Sequence, residues 1–92
     1  MAKLRIYSVK DLATGCFMRP FFHQADNAAV RSFGEEVNRD APDNMLFKHP
    51  GDFDLYVCGD FDDSCGLLSV CEPTKLVSAS SLKVVVGIKQ AG

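Results

Sequence analysis

The chain has 92 residues, 47% apolar and 24% charged, with a formal charge of −2. This composition suits one globular domain with a single modest core and excludes a disordered chain. It also excludes a histone-like condenser, which needs clustered surplus cations to displace counterions from phosphate, so any nucleic-acid contact must come from a local basic patch.

Leu4-Arg5-Ile6-Tyr7-Ser8-Val9 alternates with period two, which predicts a half-buried strand with Leu4 and Ile6 toward the core. Asp11 to Gly15 is a turn of small and polar residues. Phe17 to His23 reads as a second strand, closing a hairpin with a loop of about five residues. Pro20 cannot donate a ladder hydrogen bond, which places this strand at a sheet edge. Asp26 is a good N-cap for a helix over Asn27–Val37, with Ala29, Val30, Phe33 and Val37 on one stripe. Gly34 weakens that helix by up to ~1 kcal/mol relative to alanine and is expected where the sheet approaches closely. Asn38 to Asn44, with Pro42, is a loop.

Phe53, Leu55 and Val57 alternate with Asp54, Tyr56 and Cys58, giving the clearest strand in the chain. Asp60 to Gly66 is the next turn, and Gly66 to Cys71 a fourth strand, ended by Glu72-Pro73. Leu76 to Leu82 suits a short helix or a strand, and Val84-Val85-Val86 favours a strand. The order ββαββ, followed by a C-terminal tail over 74–92, predicts an α+β fold in one domain spanning 1–92. One helix packs on one face of a small antiparallel sheet.

With Leu4 and Ile6 inward, Lys3, Arg5 and Tyr7 face outward. The second strand admits either parity. Placing Met18, Pro20 and Phe22 inward sets Phe17, Arg19 and Phe21 beside Arg5 and Tyr7, the opposite parity does not, and Tyr56 joins from the third strand. The expected result is an open face of aromatic rings interleaved with arginines, which suits single-stranded nucleic acid: bases stack on rings and phosphates meet guanidinium groups. The competing reading buries this face against a partner subunit or the C-terminal tail. Lys48 and His49 are candidate phosphate contacts, although with Pro50 they read first as turn formers, Asp52 bonding nearby backbone amides.

Asp60, Asp62 and Asp63 break the register of an EF-hand loop and read as a solvated hairpin turn. Cys58, Cys65 and Cys71 lack the spacing of a zinc knuckle. Together with Cys16 they are expected as free thiols in a reducing compartment. There is no Gly-rich phosphate loop, G-x-S-x-G or H-E-x-x-H. The expectation is a non-enzymatic protein without metal or cofactor. No apolar run approaches the ~20 residues of a membrane span, and Met1-Ala2-Lys3-Leu4-Arg5 has no apolar leader core. The chain is therefore expected in the compartment where it is made, without a membrane partner.

The run from Lys48 to Asp63, K-H-P-x-D-F-x-L-Y-x-x-G-x-F-D-D, resembles the signature of the small nonstructural protein of gokushovirus-type microviruses, phages with small circular single-stranded DNA genomes. The opening Lys3-Leu4-Arg5-Ile6-Tyr7, the Arg19-Pro20-Phe21-Phe22 segment and a helix holding Ala29, Arg31 and Phe33 are similar too. The resemblance spans roughly residues 3 to 72. It implies a nonstructural protein of the host bacterial cytoplasm, absent from the mature virion. Its role is similar to that of the microvirus C protein, acting when replication passes from duplex copies to single-stranded genomes for packaging. Proteins of this kind are described as DNA-binding. The expected partner is single-stranded DNA; the alternative expectation is a homodimeric protein-interaction module acting on the viral replication initiator or host replication factors without direct DNA binding.

Overall fold

Alternating apolar residues separated by glycine-bearing turns fold into a curled antiparallel sheet with one main helix on one face. The computed structural model describes residues 3–84. The strands are β1 (Lys3–Asp11), β2 (Cys16–Phe17), β3 (Phe21–His23), β4 (Phe53–Asp62) and β5 (Leu67–Ser78), and the helices are α1 (Asp26–Val37) and the short α2 (Met45–Lys48). The sheet order is β2-β1-β4-β5, and β3 shares with β2 the outer side of β1. Single 3-10 turns precede β4 (Pro50–Asp52) and follow β5 (Ala79–Leu82).

The core lies between α1 and one face of the sheet. Ala29, Phe33 and Val37 of α1 pack on Tyr7, Val9, Phe53, Leu55 and Val57, with Val30 and Leu46 at the margin. The helical stripe and the inward set of β4 match the sequence pattern. The second expected strand is broken instead at Met18-Arg19-Pro20. Lys10 pairs with Phe17 but Tyr7 with Phe21, so the partner numbering gains one residue across the break. β5 runs on through Pro73, where the sequence ended it. Val57 faces Thr74 while Gly59 faces Val70, so Cys71-Glu72-Pro73 forms an insertion on an edge strand, where a residue without an N–H is tolerated.

Asp26 is not the N-cap of α1. Ala25 holds that position without a side-chain bond. The Asp26 carboxylate lies one residue into the helix, where its charge still complements the N-terminal dipole. At the other end, Asn38 donates from Nδ2 to the carbonyls of Gly34 (2.9 Å) and Leu82 (3.0 Å). The Lys83 ammonium donates to the carbonyl of Phe47 (2.9 Å) and lies 3.4 Å from the centre of its ring. The chain after β5 thus fastens the C-terminal end of α1. Of the expected Val84–Val86 strand, Val84 has no regular structure, and residues 85 and 86 lie outside the described residues.

Candidate nucleic-acid interface

Successive side chains of a strand point to opposite faces, so the contacts of β1 decide which face each residue serves. Tyr7 and Val9 are in the core with α1, which puts Arg5 on the helix side and Leu4, Ile6, Ser8 and Lys10 on the other. Relative to one another the two sets alternate as expected, but the side facing α1 is inverted. Tyr7 is fully buried. Its hydroxyl donates to Asp26 Oδ1 at 2.7 Å, and its ring stacks on Phe21 at 5.8 Å between centroids. Burial, and then the Asp26 carboxylate, push the Tyr7 phenol up from its ordinary range. Arg5 Nε lies 3.4 Å from Asp26 and 3.8 Å from Asp60. A guanidinium already set between two carboxylates has little charge left for a phosphate.

The candidate residues therefore divide. Arg5, Tyr7 and Phe21 lie on the helix side, where Lys3 continues their alternation as an exposed residue opposite Asp62. Tyr56 lies on the other face, and so does Phe17, which the break at Met18–Pro20 separates from Phe21. Arg19 is exposed within that break. Lys48 ends α2 in the helix layer, and His49 follows it. His49 donates its backbone N–H to Met45 (2.8 Å) and accepts from the Asp52 N–H (3.0 Å), so the turn is held by backbone atoms and not by the Asp52 carboxylate. The single surface expected from Arg5, Tyr7, Phe17, Arg19, Phe21 and Tyr56 does not form.

A different aromatic surface occupies the face away from α1. Phe17 and Tyr56 meet edge to face at 5.2 Å, and the Lys10 ammonium lies 5.6 and 5.9 Å from their ring centres. Phe22 and Phe61 form a second edge-to-face pair at 5.8 Å. Their partners on β1 are Ile6 and Leu4, whereas those of Phe17 and Tyr56 are Lys10 and Ser8. At about 3.3 Å per residue, four residues of β1 separate the two pairs by roughly 13 Å.

Between the pairs lies an apolar groove of about 300 Å³, floored by Ile6, Ser8 and Cys58. Met18 and Pro20 form one wall, and Val70 and Pro73 the other. Burial, and secondarily the Cys71 thiol, push the Cys58 thiol up, which keeps it protonated and unreactive. Lys75, 3.5 Å from Asp54, adds a second cation to this face.

Lys10, Phe22, Phe61 and Lys75 are the members that sequence reasoning missed. Val9 held the clue for β1: it shares the alternation of Tyr7, and an apolar residue there favours Tyr7 as the inward set. Phe61 falls in the Asp60–Gly66 stretch that reads as a turn, because the alternation marking β4 is clear only as far as Cys58, whereas the strand runs to Asp62.

The match to known proteins is narrow in kind but covers most of the chain. No curated protein and no solved structure matches it. A model of the Phage ORF5 protein family matches residues 4–82, from β1 through the 3-10 turn that fastens α1, and the chain belongs to this family of phage proteins.

Proposed function

We propose that this phage accessory protein is a nonstructural protein of the gokushovirus-type microviruses. It binds single-stranded DNA on the sheet face away from α1, in the host cytoplasm, at the switch from duplex replication to single-stranded genome synthesis and packaging. The observation that carries the reading is the Lys10 ammonium set against the Phe17–Tyr56 ring pair on a face with a second aromatic pair, exposed Phe22 against half-buried Phe61. Rings receive bases of any identity, and a cation beside them meets the backbone. The mechanism is occupancy: strand held on this face is withheld from the complementary-strand machinery, and no chemical step is needed.

Fluorescence polarisation with a labelled single-stranded oligonucleotide tests it. Binding is expected at low salt, weakened about 5- to 150-fold by Phe17→Ala, the equivalent of one lost stacking contact of ~1–3 kcal/mol. Lys10→Glu is also expected to weaken it. Absence of binding at low salt ends the reading. The alternative, a homodimeric module acting on the viral initiator or a host replication factor without touching DNA, draws on the apolar groove instead. Capture of the initiator by a chain that does not bind oligonucleotide is its signature.

A further inference from the structure

The two edges of the sheet are finished differently. One consists of β2 and β3, short strands split by Met18-Arg19-Pro20, and Pro20 offers no N–H to a neighbour. The other is β5. Its half toward Ser78 carries Pro73 and Lys75, both of which discourage strand addition. Its half toward the hairpin turn carries neither. Leu67-Leu68-Ser69-Val70-Cys71 is an uncharged run on an exposed edge. Leu67, Leu68 and Val70 are 66%, 61% and 84% exposed, the highest values among the large apolar side chains of the described residues. This run pairs with β4 on one side through Gly59 to Asp62, and among the described residues no strand pairs with the other side.

We infer that this edge is a self-association surface, on which two copies of the chain pair their 67–71 segments antiparallel about a two-fold axis at Ser69. The run suits a second copy because it is self-complementary about that residue. Leu68 faces Val70 of the other copy, Leu67 faces Cys71, and no charge enters the paired stretch. The register is specific. Centring on Val70 sets Leu68 against Glu72 and Leu67 against Pro73, and centring on Leu68 runs the ladder into the turn at Gly66. An isologous pairing also satisfies the free backbone groups of both edges together. Five residues per copy fall short of the ~800 Å² per partner of a standard interface, so the dimer is weak and concentration-dependent. Leu68 and Val70 lie on the same face as Phe61, so the pairing makes the two open faces neighbours.

Sedimentation velocity and light scattering of the full chain, under reducing conditions and without DNA, test the inference. The wild-type chain is expected to rise from monomer to twice that mass between low and high micromolar concentration. Val70→Lys and Leu68→Lys should stay monomeric over the whole range, with circular dichroism unchanged because both side chains are exposed. Met45→Lys, exposed on α2, should dimerise like the wild type. A wild-type chain that stays monomeric, or a Val70→Lys variant that still doubles in mass, overturns the proposal. With no nucleic acid present, either result is independent of the DNA-binding reading.

Discussion

Tyr7 ties β1 both to β3, through Phe21, and to the start of α1, through Asp26. Its ring fills the space between β3 and α1, and its hydroxyl reaches the first residue of the helix, whose carboxylate also meets Arg5. Tyr7→Phe keeps the ring and removes the bond to a charged acceptor, at an expected cost of about 1–2 kcal/mol near neutral pH. The sign of the pH dependence follows from the raised phenol. Neutral Tyr7 is favoured in the folded chain, so its contribution is complete below the ordinary tyrosine range and is lost as pH rises past about 10, where the unfolded chain ionises first. Urea midpoints of wild type and Tyr7→Phe should therefore differ most at pH 7 and converge above about pH 10. A gap that stays constant with pH would show that the hydroxyl contributes nothing through its protonation. None of this was legible in the sequence. A tyrosine in an alternating strand serves either face equally well, and its hydrogen-bonding partner lies 19 residues away.

At the scale of elements, the strands, the main helix and their order were legible, because alternation and helical spacing record burial directly. The side that β1 turns toward α1 was not, because Leu4 and Ile6 favour one face and Tyr7 and Val9 the other, and neither was the β1–β4 register, which a bulge shifts. β1 meets β4 with Ile6 opposite Gly59 and Tyr7 opposite Val57, leaving Cys58 as the extra residue. Gly59 has φ +155°, and a Cβ there would overlap the Ser69 carbonyl oxygen and sit 3.1 Å from Val70 Cα. That position requires glycine, and Gly59 was the one visible mark of the bulge.

Gly34 is the opposite case. Its Cβ would meet only the Leu82 side chain, at 3.7 Å, an ordinary contact, and no strand approaches it. The expectation of a close sheet contact there is overturned. Gly34→Ala should therefore stabilise the chain by about 0.5–1 kcal/mol, since alanine restricts the unfolded state and favours the helix. For a domain of this size that is a rise in melting temperature of roughly 2–8 °C. A fall instead would mean that the turn carrying Leu82 cannot yield to a methyl group.

Over the whole molecule, the sheet separates two kinds of surface. The helix layer carries mixed charge that is largely satisfied locally, as in Arg39 donating to Glu36 at 2.7 Å and Arg31 beside Glu35 at 3.6 Å. The opposite face carries rings, an apolar groove and few cations. This division limits how a nucleic acid can be held. With Lys10 on this face, Arg19 exposed in the break between the groove-lining Met18 and Pro20, and Lys75 partly committed to Asp54, two or three phosphates can be neutralised. For a single strand that gives a slope of log K against log salt of about −1.4 to −2.1, or a loss of roughly 7- to 20-fold between 50 and 200 mM. The larger part of the affinity then persists at high salt, because stacking releases no counterions. Polarisation titrations across this salt range should give a shallow line, and Lys10→Ala should reduce its slope by about 0.7. A slope steeper than about −4 would require more cations than this face holds and would move the contact to a surface including Lys3 and Lys48. If the proposed reading holds, a formal charge of −2 favours the shallow case, in which the aromatic pairs would supply the grip and the lysines would set the path of the strand.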